Sequence, residues 1–341
     1  RVLRVPVFFR RQLAVANLPS MFAYLPSGLL RGLPWRRGAI DVINTHFVLP
    51  TGPLGHALAR RHRVPNVLSV HGGDLFDPSK RSSPHRHAPL RSAVRWLLER
   101  ADALVGQSRD TLRHVREIYG VERPVELVPL GIERPPTARP VREAFGLPPA
   151  AFAMITIGRL VPRKATLQLI DVLAATRTAQ THLLVVGDGP EADALQTRAT
   201  ALGVRDRLHL LGHLSEARKY EALASADLFV STSQHEGFGL VFLEAMAFGL
   251  PVVCYDRGGQ TDFLETGTSG HVVALNDLAA FVQAVLALHA DRALRERCSR
   301  HNRMRVEDFF IDTCAMRYEG LFEQAVAAAP AAARQFPASF S

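Results

Sequence analysis

Residues 235–253 read HEGFGLVFLEAMAFGLPVV. Glu236 opens a glycine-bearing turn, and Glu244 follows eight positions later. Gly237-Phe238-Gly239 suits a loop, because glycine reaches positive φ and lets a ligand approach bare backbone. Residues 240–248 are good helix formers, and Gly249 with Pro251 stops them. Glu236 therefore belongs to the loop before a helix, and Glu244 lies about one turn inside it. Between them the helix N-terminus offers free N–H groups to an oxygen-rich ligand. Two acceptor side chains flanking a row of donors suit a ligand with many hydroxyls, such as a sugar joined to a nucleotide. Each carboxylate also has a plain structural account. Glu236 can favour the helix dipole, and Glu244 can sit on a helix surface. A charge within the apolar run LVFLEAMAF is costly if buried unpaired, so it calls for a partner or a ligand.

Working outward, short apolar runs alternate with helical patterns, the mark of parallel α/β architecture. The first half offers strands at residues 2–9, 41–45, 66–70, 103–106 and 125–128, with helices at 52–63 and 88–100 among those between. The second half offers strands at 153–157, 182–186, 208–211, 228–231, 252–255 and 271–274. The fold class expected is α/β, with two Rossmann-like doubly wound domains and a ligand cleft at the carboxyl ends of their strands. Residues 1–134 form an N-terminal domain, and 135–140 a Pro-rich linker. Residues 141–305 form a C-terminal domain. Residues 306–329 are a closing helix that packs back toward the first domain, and 330–341 an Ala/Pro/Ser-rich mobile tail.

The net charge of +9 is unevenly spread. Residues 1–140 hold 22 Lys and Arg against 10 Asp and Glu, and residues 141–341 hold 19 against 22. A basic first half beside a near-neutral second half suggests that the first meets an anionic partner. Arg10, Arg11, Arg31, Arg36, Arg37, Arg60, Arg61 and Arg63 supply much of that charge. Aromatics are few and no base-stacking signature occurs, so an anionic membrane face or lipid-linked acceptor is preferred to nucleic acid. An Arg-rich solvated face is the plainer account. Three widely spaced cysteines give no disulfide framework or zinc pattern, which fits a reducing, cytoplasmic setting, peripheral to an inner membrane face. No apolar run reaches the length of a membrane span, and no signal peptide is visible.

Three other constellations stand out. Gly158-Arg159-Leu160-Val161-Pro162-Arg163-Lys164 follows the first strand of the second domain, and Arg159 with Lys164 can neutralise a diphosphate and stabilise its departure. Strand-end basic residues also commonly just face water. Gly187-Asp188-Gly189-Pro190-Glu191-Ala192 fits a dinucleotide fingerprint, but on a second strand instead of a first, so the glycines need only shape a tight turn. His71-Gly72-Gly73-Asp74 ends a strand of the first domain, placing a histidine and an acid at the expected cleft edge. A capping Asp with a structural His accounts for these as well. No DxD pair, clustered carboxylates, nucleophile elbow or P-loop occurs, so no metal and no cofactor is expected.

Together these pieces resemble the family 4 retaining glycosyltransferases of GT-B fold. The resemblance rests on Glu236 and Glu244, on GRLVPRK, VVGDGPE and GLPVVCYDRGG, and on HGGD. It implies that Arg159 and Lys164 contact the donor diphosphate and that Glu244 holds the ribose hydroxyls. Glu236, with Gly237, Phe238, Gly239 and Leu240, would hold the transferred sugar. His71 would lie beside that sugar, and Asp74 would face the acceptor. It further implies metal-free transfer with retained configuration, by same-face attack of a hydroxyl as the diphosphate leaves.

Two features depart from the family. Its opening strand and Gly-rich loop have no counterpart here, and the chain opens on Arg1, which suggests an N-terminally truncated first domain. Ala165 stands where the family usually has Gly. Two rival expectations are a nucleotide-sugar epimerase or dehydrogenase built on residues 187–192, and a non-catalytic GT-B-like binding module.

Overall fold

A computed structural model describes residues 4, 5, 7, 18–36, 38–176 and 180–329. The chain divides into two compact units, Arg1–Pro129 with Ala315–Ser341, and Leu130–Cys314. The strand expected at 2–9 falls outside the described residues except for Arg4, Val5 and Val7, which lie in no strand. Arg10, Arg11, Arg37 and the tail at 330–341 also fall outside them.

The first unit carries a parallel sheet ordered β1-β2-β3-β4, from Ile43–His46, Asn66–Val70, Ala103–Gly106 and Glu126–Leu127. The last is a two-residue edge strand, shorter than the 125–128 expected. Helices α1 (Leu18–Gly32), α2 (Gly52–His62), α3 (Ala88–Arg100) and α4 (Arg109–Glu117) accompany the sheet. Sequence reasoning assigned no helix at α1, because Pro26 lies inside it and interrupts the helical signal. Strand β2, NVLSV, is buried at every position, as a central parallel strand must be.

The second unit has six parallel strands: β5 (Phe152–Ile157), β6 (Thr181–Val186), β7 (Leu208–Gly212), β8 (Leu228–Ser231), β9 (Val252–Tyr255) and β10 (Gly270–Val273). Their order, β10-β9-β8-β5-β6-β7, is that of a doubly wound sheet. Successive side chains point to opposite faces. Ala153, Ile155, Leu184, Phe229, Val252 and Cys254 therefore enter one core, while Met154, Leu183, Val185, Leu228, Val230 and Val253 enter the other. Helices α7 (Glu216–Ser225) and α8 (Leu240–Ala247) cover the first face through Ala222, Leu223, Phe242 and Met246. Helices α5 (Leu167–Ala175) and α9 (Leu278–Ala290) cover the second through Leu169, Ile170, Phe281 and Val285. Helix α6 (Ala192–Ala201) packs Leu195 and Ala199 into that same core. Helix α10 (Arg292–Arg305) adds Cys298, and the three cysteines are buried and form no disulfide.

The closing helix is not continuous from residue 306. A 3-10 turn, Val306–Phe309, precedes α11 (Ile311–Ala328), and Phe310 forms a parallel bridge with Ile132. Ile132 N–H donates to Phe309 O (3.0 Å) and Ile311 N–H to Ile132 O (2.8 Å), so the chain is extended at this one residue. No described helix is long and apolar enough to cross a membrane.

Candidate active site

In the second unit the strand order reverses between β5 and β8. Side chains leaving the carboxyl ends of these two strands converge, because the following loops diverge to opposite faces and leave a crevice. An open pocket of about 250 Å³ lies there, lined by Thr156, Gly158, Arg159, Lys164, Thr166 and Ser231, among others. The two loops are tied together. Gln234 N–H donates to Arg163 O (2.8 Å), and Thr232 Oγ1 donates to Ala165 O (2.9 Å).

Glu236, only 6% exposed, sits at the junction. Its Oε1 accepts from Lys164 Nζ, and its Oε2 lies 3.6 Å from Arg163 Nη1. Burial alone would raise this acid. The Lys164 ammonium, the Arg163 guanidinium and hydrogen bonds from Lys164 and Ser233 outweigh that and hold the carboxyl below its ordinary range. Its backbone is gripped as firmly. Glu236 N–H donates to Arg257 O (3.2 Å), and Gly259 N–H donates to Glu236 O (2.9 Å). A Cβ on Gly258 would overlap the Glu236 carbonyl, which is the physical reason for glycine in DRGG.

Glu244 lies on the partly exposed face of α8, away from Phe242, Leu243, Ala245 and Met246, which are buried. The partner its apolar setting calls for is Lys219 of α7, whose Nζ is 2.9 Å from Glu244 Oε1 and 2.8 Å from Glu216 Oε2. Glu244 Oε2 is buried and accepts no hydrogen bond. Burial raises the Glu244 carboxyl above its ordinary value. Lys219 opposes the rise, and the Glu216 charge adds to it. So the structure places Lys164 with Glu236, and Glu244 with Lys219.

Other expected residues have distinct placements. Arg159 is exposed and pairs with no described residue. The Phe238 ring is buried (3% exposed) and packs 5.3 Å from Phe263, so only its backbone is available to a ligand. Gly239 caps α8 in the left-handed region (φ 94°), Gly237 precedes it, and Leu240 opens the helix 37% exposed. Cβ atoms on Gly187 and Gly189 would overlap the carbonyls of Gly158 and Leu160, so close packing of the neighbouring loop accounts for these glycines. Sequence reasoning missed Arg163 and Lys219 as ion-pair partners. Arg163 stands beside Lys164, but EARKYEALAS carries no signal that separates Lys219 from an ordinary surface lysine.

Ala165 ends the 3-10 turn Pro162–Lys164 at φ 47°, ψ 34°. This left-handed conformation burdens a Cβ, so Ala165→Gly is expected to gain about 1 kcal/mol of stability. An unchanged urea midpoint would count against strain at this position.

In the first unit, His71 ends β2 and is partly buried, its ring stacked 4.3 Å from Phe47. Its ring is driven below the ordinary pKa by burial, against a hydrogen bond with the Gln107 side chain that raises it. Asp74, expected to face an acceptor, is instead turned into the fold. It is 8% exposed, and its two oxygens accept from His71 N–H (2.9 Å) and Val48 N–H (2.6 Å). Burial raises its pKa to about 6 despite these amides and its own. Asp74 thus braces the HGGD turn against the end of β1.

Comparison with known proteins now decides the family. Residues 139–305 match the profile "Glycosyl transferases group 1", and residues 3–134 match "Glycosyltransferase Family 4". A D-inositol 3-phosphate glycosyltransferase of Acidothermus cellulolyticus is 30% identical over 354 residues, covering 95% of this chain and 76% of the relative. The chain belongs to the family 4 glycosyltransferases. A D-inositol 3-phosphate glycosyltransferase of Nocardia farcinica is 29% identical over 272 residues, covering 75% of this chain but 60% of its own length. Among solved structures, Anabaena HepE in complex with UDP superposes with a TM-score of 0.76 at 21% identity, covering 88% of this chain and 82% of HepE. That likeness carries the fold, which is GT-B, with two parallel-sheet α/β domains. This glycosyltransferase therefore falls among enzymes that transfer sugars.

Proposed function

We propose that the glycosyltransferase moves a sugar from a nucleoside diphosphate to a hydroxyl acceptor, with retention and without a metal ion. One observation carries the reading: two cations of GRLVPRK, Arg163 and Lys164, meet the acid of HEGFG where the strand order reverses. HepE, of the same fold, was solved with UDP, which suits a nucleotide donor at that place. Arg159 and Lys164 would neutralise the diphosphate as it leaves, the main electrostatic task of a reaction whose transition state is cation-like at the sugar. Glu236 is buried with both oxygens near cations, which fits an acid that positions Lys164 better than a free nucleophile. Backbone amides of Gly237, Phe238, Gly239 and Leu240, at the start of α8, would hold sugar hydroxyls. The unpartnered Oε2 of Glu244 is an acceptor for a ribose hydroxyl. His71 is assigned to the transferred sugar. The acceptor hydroxyl would attack from the face the diphosphate leaves, passing its proton to a phosphate oxygen.

A thermal-shift screen of UDP, GDP and ADP identifies the donor base, since a ligand that binds only the folded protein raises its melting temperature. NMR of the product then reads the anomer. Inversion would overturn the retaining reading, and turnover lost on chelation and restored by magnesium would overturn the metal-free one.

The acceptor side carries a further expectation. In the first unit Arg60, Arg61 and Arg63 end α2, and Leu30, Leu33 and Trp35 are exposed nearby, Trp35 lying 6.2 Å from His62. Arginines beside an exposed tryptophan suit an anionic membrane face presenting a lipid-linked or surface-polysaccharide acceptor. Cosedimentation with phosphatidylglycerol vesicles that weakens in high salt is the expected result, and equal binding to phosphatidylcholine would count against it.

A further inference from the structure

A chain of hydrogen bonds in the first unit ends on His71. Tyr318 OH, on α11, donates to Ser69 Oγ (3.0 Å), and Ser69 Oγ donates to Asn44 Oδ1 (3.1 Å). Asn44 Nδ2 then meets His46 Nε2 (3.0 Å), and His46 Nδ1 meets His71 Nε2 (2.9 Å). Each link dictates the next. An amide nitrogen only donates, so His46 Nε2 must accept and its proton must sit on Nδ1. His46 Nδ1–H then donates, so His71 Nε2 must accept and the His71 proton must also sit on Nδ1. We infer that His46, oriented by Asn44, is a positioning residue that fixes His71 as the Nδ1–H tautomer.

The surroundings agree. The Gln107 side chain also hydrogen-bonds His71 and raises its pKa, the sense expected where a protonated ring nitrogen donates. Burial lowers both rings from their ordinary pKa, His71 further lowers His46, and a neutral pair is what a one-proton link requires. Phe47 stacks on the His71 ring, with centroids 4.3 Å apart. The consequence for chemistry is definite. A ring whose Nε2 lone pair is taken and whose Nδ1 is protonated cannot accept the acceptor's proton, so His71 is no general base. It is instead a ring of fixed polarity, and its bearing on transfer rests on the assignment of His71 to the transferred sugar.

The test is a long-range proton–nitrogen NMR correlation on the full chain labelled with 15N-histidine, which reports the tautomer without need of substrate. Wild type is expected to show Nδ1–H at both His46 and His71. His46→Phe removes the donor, and His71 is expected to revert to a tautomer mixture. His46→Gln restores a side-chain N–H, and with it the enforced tautomer. Turnover should fall about tenfold in His46→Phe with donor KM little changed, and recover in His46→Gln, as for other residues that orient a ligand-binding ring. An Nε2–H signal at His71 in wild type overturns the inference, even if the variants fail to fold, and so does a His46→Phe spectrum identical to wild type. Full activity in His71→Ala would instead overturn the sugar assignment and leave the tautomer result standing.

Discussion

Replacing Lys164 with methionine is expected to destabilise the second unit by about 3 kcal/mol and to abolish transfer. Lys164 is the nearer of the two cations on Glu236, and the Glu236 side chain is 8% exposed. Removing the ammonium leaves a buried carboxylate with only Arg163, 3.6 Å away, to offset its desolvation. The effect has a signature in pH. In wild type the Glu236 carboxyl is held below its ordinary 4.5. Its stabilising contribution is therefore present above that value and is lost as pH falls through the depressed one. Without Lys164, burial dominates and the folded carboxyl rises. The contribution is then greatest at low pH and is lost as pH rises through the raised value. Urea unfolding between about pH 4 and pH 7 should thus show opposite trends in the two proteins. A further variant, Lys164→Met with Glu236→Gln, removes the buried charge and should regain most of the stability while staying inactive. Parallel pH profiles for wild type and Lys164→Met would mean that the pair does not govern Glu236.

Much of this site could be read along the chain because its parts lie at strand ends, and strand ends are marked locally. The apolar runs ending at Ile157 and Ser231 stop where GRLVPRK and TSQHEGFG begin, and chain logic alone puts both at the switch point. What could not be read is side-chain direction. Phe238 lies between two glycines in a loop, and only packing against Phe263 reveals that its ring belongs to the core. Asp74 looked outward in HGGD, yet the amides of Val48 and His71 draw it in, and Val48 is 26 positions away. The same holds for Lys219 and Glu244, 25 positions apart on separate helices. Sequence spacing resolves partners on one element, at three or four residues. It does not resolve partners that the fold brings together from two. Edges of regular structure were the other loss. Strand β4 and the extended residue at Phe310 depend on pairing with β3 and with Ile132, and no local pattern encodes such pairings.

The second large effect concerns Glu244. Glu244→Ala is expected to weaken nucleoside diphosphate binding about thirtyfold, the loss of roughly 2 kcal/mol that follows when a buried hydroxyl forfeits a charged acceptor. Alone, that result would not separate a ribose contact from a merely structural acid. Lys219 supplies the separation. Glu244 is pushed up by burial and by the Glu216 charge, and Lys219 is what opposes the shift. In Lys219→Met that opposition is gone, so Glu244 titrates higher than in wild type. A protonated carboxyl has lost acceptor capacity, so donor binding by this variant should be weak near pH 6 and strengthen as pH rises, while wild type changes less over the same range. Glu244→Gln keeps one acceptor oxygen without a charge. It should bind better than Glu244→Ala and show no such rise, and combining it with Lys219→Met should leave binding independent of pH. Calorimetry of UDP, or of the nucleotide that the screen selects, across pH 6 to 8 reads all of these. If Lys219→Met binds with the wild-type pH profile, Glu244 is not the group that receives the ribose, and the unpartnered Oε2 needs another account.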